Sequence, residues 1–402
     1  MEMTHDPLRH LTFLRQALSQ DKRIGFLLSA GCPLGIDMTA GEWPLIPDIE
    51  NLTKKTSELI LSGPLKDNFG KLIEEIVKYG KRKENIEDIL SFIRGLKQVS
   101  LGGTVRGFSY PDLESLEKEI CKVIVSLMDV KLPSTVTAYH KLANWINSID
   151  REYPIEIFTT NYDLLIEQAF DELNVPYFDG FVGSRDSFLD LRILEDDTQI
   201  LPKHWTCLWK IHGSLNWYHQ AGSVIRLSSV NKEGDNLIYP SHLKYEESRK
   251  MPYLVFMDRL NKFLRRPSSL LISSGFSFRD EHINNTIINA LKSQPNSMFI
   301  SLFHGELKNH QEAIKAALGT SNLSLIARDE AIIGTIRGKW KLTKELVAEE
   351  NIVDCIIAEK KTTGDPPVEV ENIFCKIGDF KKLGAFLQFI IGANKSLGSD
   401  AK

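Results

Sequence analysis

The chain has 402 residues, 42% of them hydrophobic and 25% charged, with a formal net charge of −4. That length exceeds one small core and suits one large α/β domain with additions. The acidic balance argues against a nucleic-acid binder. No apolar run reaches membrane-span length, and the start, Met1-Glu2-Met3-Thr4-His5-Asp6-Pro7, lacks a charged-then-apolar leader. The expectation is a cytoplasmic protein with no membrane contact and no direct nucleic-acid contact.

Leu8, Leu11, Leu14 and Leu18 recur at helical spacing and predict a helix over 8–20. Ile24-Gly25-Phe26-Leu27-Leu28 is a short apolar run that ends in the small-residue turn Ser29-Ala30-Gly31-Cys32-Pro33. A buried strand entering such a turn is a common start for a nucleotide-binding α/β unit. Small residues there let backbone N–H groups approach a phosphate; the plainer reading is a simple connection. Residues 48–149 read as mostly helical. Asp48 or Asn51 caps one helix, Asn85-Ile86-Glu87-Asp88 opens another, and 111–128 and 136–149 follow, with a glycine-bearing loop over 100–107. This stretch reads as a helical layer inserted into the sheet domain.

The second strand, Ile155-Glu156-Ile157-Phe158, runs into Thr159-Thr160-Asn161-Tyr162-Asp163, and a helix begins at Asp163. Val175–Phe178 and Phe181–Gly183 read as short extended pieces. The third strand, 207–211, leads into His212-Gly213-Ser214. Residues 219–250 read as loop. After a helix at 253–265, the strand Leu270-Leu271-Ile272-Ser273 ends in Ser274-Gly275-Phe276-Ser277-Phe278-Arg279-Asp280, followed by a helix from Glu281. Further strands are expected at 298–303, 323–327 and 353–358. Strand, polar turn and helix repeat in that order, which predicts an α/β fold: a Rossmann-like parallel sheet with helices on both faces.

Open α/β sheets bind ligands outside the carboxyl ends of their strands. Four strand ends here carry polar or small residues. Taken singly, Asn161, Asp163 and Asp280 also read as helix caps, His212 as a satisfied polar residue, and Trp205, Trp209 and Trp217 as core or pocket wall. The charge runs Lys81-Arg82-Lys83 and Arg265-Arg266 read as solvated surface. Cys32, Cys121, Cys207, Cys355 and Cys375 form no C-x-x-C pair. A four-cysteine zinc site is excluded by spacing, no metal is expected, and the thiols read as small buried apolar groups.

The ordered set Ser29–Pro33, Thr159-Thr160-Asn161-Tyr162-Asp163, His212-Gly213 and Gly275-Phe276-Ser277 resembles the sirtuin family. His-Gly-Ser-Leu-Asn-Trp-Tyr and Gly-Phe-Ser-Phe-Arg-Asp-Glu-His-Ile-Asn look like the bacterial anti-phage defence branch, and most like the sirtuin-like subunit that pairs with a HerA-type ATPase. The resemblance implies a domain over 1–330, with 48–149 as insertion and 331–402 as a C-terminal extension for oligomer or partner contact. It implies NAD+ as substrate, hydrolysed to nicotinamide and ADP-ribose. Asn161, His212 and Asp163 are the implied catalytic residues. Ala30, Gly31, Thr160, Gly213, Ser214, Gly275 and Ser277 are implied NAD contacts, with Asp280 and His282 toward the adenosine. A hexameric HerA-type ATPase and a large homo-oligomeric ring are the implied partners. The chain departs from the family in two ways. It lacks the zinc ribbon that frames an acyl-lysine cleft, and Ser29 and Pro33 replace the first glycine and the serine of the phosphate loop. Proline offers no N–H. The alternatives are an NAD- or ADP-ribose-binding scaffold subunit without turnover, or an NAD-dependent protein deacylase or ADP-ribosyl transferase.

Overall fold

A computed structural model describes residues 3–19, 22–38, 44–80, 85–149, 151–192, 201–202, 204–220, 223–230, 236–238, 252–347, 352–363 and 368–392. The Lys81-Arg82-Lys83 run lies outside them. In chain order the strands are β1 Thr4–His5, β2 Arg23–Leu28, β3 Glu156–Thr159, β4 Tyr177–Phe178, β5 Phe181–Val182, β6 Ser187–Leu189, β7 Thr206–Lys210, β8 Gly213–Gln220, β9 Ser223–Arg226 and β10 Asn236–Ile238. They continue with β11 Ser269–Ser274, β12 Met298–Leu302, β13 Leu323–Ile326, β14 Glu330–Ile333, β15 Ile336–Trp340, β16 Ile356–Thr363 and β17 Val368–Cys375. The helices are α1 Pro7–Ser19, α2 Ile49–Leu61, α3 Lys66–Lys78, α4 Ile86–Val99, α5 Tyr110–Met128, α6 Ala138–Asn147, α7 Leu165–Glu172, α8 Pro252–Arg265, α9 Glu281–Ser293, α10 Gln311–Leu318 and α11 Phe380–Ile390.

Ten strands form the main sheet in the order β1-β15-β14-β13-β12-β11-β2-β3-β7-β4. Every pair from β13 to β4 is parallel, so the α/β fold expected from the sequence is present. The parallel strands are continuous apolar runs because both sheet faces are covered. Side chains alternate between two cores. Phe26, Leu28, Ile157, Leu208 and Ile272 pack with α1, α4, α5, α6, α7 and α11. Leu27, Phe158, Trp209 and Leu271 pack on the other face with α8, α9 and α10. Trp209 and Trp217 are thus core residues, as the simpler reading had it.

Helices α2, α3, α4 and α5 make up most of the described residues between 49 and 128, with a small hairpin at Thr104–Val105 and Phe108–Ser109 where a loop was expected. Asp48 caps α2 through the Asn51 N–H at 2.8 Å, and Asn85 caps α4 through the Glu87 N–H at 2.9 Å. The Ile86 N–H ties α4 to Thr53 Oγ1 of α2 at 2.8 Å, and Glu117 of α5 receives Arg94 and Lys97 of α4 at 2.6 and 2.8 Å. Arg266 is not simply solvated, since it pairs with the buried Glu156 at 3.1 Å.

Several segments differ from the sequence reading. Gly213–Gln220 and Ser223–Arg226 form the antiparallel pair β8–β9 within a five-stranded sheet, β10-β8-β9-β6-β5, so the loop expected over 219–250 holds strand at 219–220 and 223–226. Residues 239–250 of the expected loop lie outside the described residues. The main sheet continues past residue 330 through the antiparallel strands β14 and β15. The strand expected at 353–358 begins only at Ile356. It pairs antiparallel with β17 in a separate two-stranded sheet and not with the parallel one.

Candidate active site

Four neighbouring strands, β7, β3, β2 and β11, end level. Thr159 is in register with Lys210 and with Leu28, and Leu28 with Ser274. The chain runs from β2 outward to β3 and β7, then returns to β2's other side with β11. This reversal opens a crevice at the carboxyl ends.

After β2 the backbone turns tightly. The Cys32 N–H donates to Ser29 O at 2.8 Å, and Pro33 opens a 3-10 turn, Pro33–Gly35. A missing N–H costs little at that position. The turn crosses the loop after β11 at contact distance. A Cβ on Gly31 would stand 2.6 Å from the Gly275 Cα, and one on Gly275, where φ is +71°, would stand 2.7 Å from the Cys32 N. Both glycines are required by that crossing. It also engages the loop's donors. The Ser29 N–H donates to Ser274 O at 3.1 Å and the Gly31 N–H to Gly275 O at 3.2 Å. The Gly31 amide expected to face a phosphate is therefore held inside the protein.

After β3, the Thr160 N–H donates to Leu28 O at 3.2 Å and the Asn161 N–H to Thr159 Oγ1 at 3.0 Å. Asn161 is buried and its Nδ2 reaches Ser29 O at 3.4 Å, so it joins the β2 and β3 loops rather than capping a helix. Asp163 shapes the turn into α7, whose N-cap is Leu164. The Asp163 Oδ1 accepts from the Leu165 N–H at 3.0 Å, while its Oδ2 is buried without a partner. Burial pushes the Asp163 carboxyl up to about 6, against the pull of Lys210 and the Leu165 N–H. Lys210, fully buried on β7, donates to the Asp163 carbonyl and to Glu167 Oε1 at 2.7 Å. That ammonium fixes the loop from beneath.

After β7, His212 precedes Gly213, whose φ of +95° turns the chain into β8. His212 Nε2 lies 3.1 Å from Asp280 Oδ2. Asp280 caps α9 with its other oxygen, accepting from the His282 and Ile283 N–H groups at 2.9 and 3.0 Å. Burial works to raise its pKa. The bond and charge of His212, with the two backbone N–H bonds, outweigh burial and hold it at about 2.

Asn161, Asp163, His212, Gly213, Ser214, Gly31 and Gly275 thus all lie within a few residues of these four level strand ends, and Asp280 joins them through His212. Ala30, Ser277 and His282 are exposed beside them. The sequence reading missed three groups. Glu87, at the start of α4, accepts from the Tyr162 hydroxyl and is coupled to His212 and Asp280. Burial raises the Glu87 pKa, opposed by His212 and Tyr162. The buried Tyr139 phenol of α6 faces Asn161 and Asp163, and burial drives its pKa well up. Lys210 carried a signal, a lysine inside an apolar strand; Glu87 and Tyr139 carried none.

Buried side-chain atoms without a partner gather here: Ser29 Oγ, Asp163 Oδ2, Ser214 Oγ and Ser274 Oγ. A cavity of about 870 Å³ along α1, lined by His5, Arg9, His10 and Phe13 among others, contains no such atom. Its lining does not include the motif residues, so the crevice is the better candidate. Among the described residues no group of His, Cys, Asp or Glu is arranged to hold a metal, and all five cysteines are buried thiols.

Residues 155–326 match the family model of a SIR2-like domain. The SIR2-like span includes the loops after β3, β7 and β11 and leaves out the β2 turn and Glu87. No curated protein matches the chain. Among solved structures, a Sir2 enzyme matches at 10% identity over 74% of this chain and 86% of its own, with a TM-score of 0.35. A Sir2 protein bound to a propionylated peptide matches at 15% identity over 74% of this chain and 87% of its own, with a TM-score of 0.32. No helix among the described residues is long and apolar enough to cross a membrane.

Proposed function

We propose that this protein hydrolyses NAD+ at the nicotinamide–ribose bond, giving nicotinamide and ADP-ribose. One observation carries the reading: unpartnered, buried Ser29, Asp163, Ser214 and Ser274 oxygens gather at the crevice that holds Asn161 and His212. Buried polar atoms left unpaired cost about 1–3 kcal/mol each, and a hydroxyl-rich ligand would satisfy several at once. The SIR2-like match over 155–326 supports NAD+ as that ligand.

In this reading the C–N bond to nicotinamide breaks as a water oxygen bonds to the ribose carbon. His212 accepts the water's proton. The Asn161 amide orients the water or a ribose hydroxyl, and the Asp163 carboxylate stabilises the cationic ribosyl centre. The test is NAD+ consumption by the full chain without any acylated peptide, with product analysis, alone and with a HerA-type ATPase. We include that ATPase, a homo-oligomeric ring and a role in anti-phage defence in the proposal, from the motif resemblance. Asn161→Ala and His212→Ala should each lower turnover by about 10²–10⁴-fold with circular dichroism unchanged. Full turnover by both variants sinks the assignment.

A second reading, NAD+ binding without turnover, is favoured by the engaged Ser29, Gly31 and Cys32 amides, which leave few donors for a pyrophosphate. Calorimetric binding of NAD+ with no nicotinamide released under any of these conditions would select it.

A further inference from the structure

We infer that Asp280 is a positioning residue, which holds the His212 imidazole across the crevice by its Nε2 and stabilises it when it takes up a proton. The inference rests on the hydrolysis proposed above. β7 and β11 are not neighbours, because β3 and β2 stand between them. Three strand spacings of about 4.8 Å place their ends roughly 14 Å apart. Yet the side chains following these two strands meet at 3.1 Å. The segments must lean toward each other over the ends of β3 and β2, so the pair bridges the crevice where Asn161 and the β2 turn lie.

The carboxylate is held in one orientation. Its Oδ1 is fixed by the His282 and Ile283 N–H groups, which aims Oδ2 at His212. The N-terminus of α9 favours negative charge there whatever His212 does. Asp280 therefore remains an anion at neutral pH. A second acid, Glu87 at the start of α4, faces the same imidazole, and the Tyr162 hydroxyl donates to it. The Asp280 anion at Nε2 fixes the ring's orientation and offsets the charge that the imidazole gains as it takes the water's proton.

Asp280→Asn separates the charge from the helix cap, because asparagine caps as well as aspartate. The expected kcat falls about 10²-fold, while the KM for NAD+ and the melting temperature stay close to wild type. The acid limb of the pH–rate profile should move to lower pH. A readout independent of turnover is the ring ¹⁵N titration of His212 in the full chain, identified by the signal lost in His212→Gln. It should also move to lower pH in Asp280→Asn. An unchanged kcat, acid limb and His212 titration in Asp280→Asn overturns the inference even if the wild type hydrolyses NAD+. If the wild type consumes no NAD+ but the titration still moves, the clamp on His212 stands and the hydrolysis reading fails.

Discussion

At the residue scale, Asp163 carries two opposed duties. One oxygen accepts the Leu165 N–H in the turn into α7 and the other is buried without a partner. A folded-state pKa of about 6, above the ordinary 3.8, means the folded chain binds a proton that the unfolded chain has released. Stability is therefore largest below about pH 4 for this group and declines as pH rises to about 6, by roughly 3 kcal/mol in all. Asp163→Asn keeps the acceptor for the Leu165 N–H and removes the charge. Urea unfolding of both proteins between pH 4 and 7 should give a stability difference that grows with pH in the variant's favour and levels off above pH 6. Asp179, also raised to about 6 by burial, is present in both and cancels in the difference. A difference that is flat across this range would show that Asp163 is not held as an uncompensated buried acid. Such a cost, kept at the rim of a crevice, is what a charge-stabilising role at a reaction centre requires.

At the element scale, caps and apolar runs were legible. Asp48, Asn85 and Asp280 each begin a helix where the pattern placed one, and each accepts a backbone N–H there. The Asn85 cap matters beyond α4, since the helix it starts places Glu87 against Tyr162. Asn85→Ala should cost about 1 kcal/mol in thermal unfolding, and Asn85→Asp should cost almost nothing. Equal losses from both would mean the side chain acts by packing instead. Short antiparallel strands were less legible. In β8, Ser214, Leu215, Trp217 and Tyr218 are all buried and only Asn216 between them is half-buried, so no two-residue period marks the strand. β14 and β15 meet at Gly334-Thr335, with φ of +56° and +68°, the positive pair that a tight hairpin turn needs. That dipeptide was visible in the sequence, but Thr is an uncommon occupant of such a position. The strand-end motifs were legible because their residues sit within a few positions of each strand. The His212–Asp280 bridge was not legible, since it depends on how two loops 68 residues apart lean across the intervening strands.

At the scale of the whole molecule, burial is uneven, and the site sits at its most protected part. β2, β3, β7 and β11 have a strand on each side and a core on each face, and their residues are almost wholly buried. The hairpin β16–β17 pairs only with itself among the described strands. Its base is anchored, with Ile356, Ile373 and Cys375 buried and the Cys375 N–H donating to Arg328 O at 2.9 Å. Two-stranded hairpins have little stability of their own, so protection should fall from base to tip. Native-state hydrogen exchange read by mass spectrometry should show the central strands exchanging only through global unfolding. Residues 360–363 and 368–371 should exchange by local opening, with Ile356 and Cys375 between these limits. Uniform protection along the hairpin would mean that another surface covers it in solution, such as a second copy of the chain. Loss of protection in β2 or β11 before the hairpin would contradict a rigid floor beneath the crevice. The proposed chemistry needs that floor, because Asn161 and Asp163 follow β3 and His212 follows its neighbour β7, and the ends of these two strands must stay level.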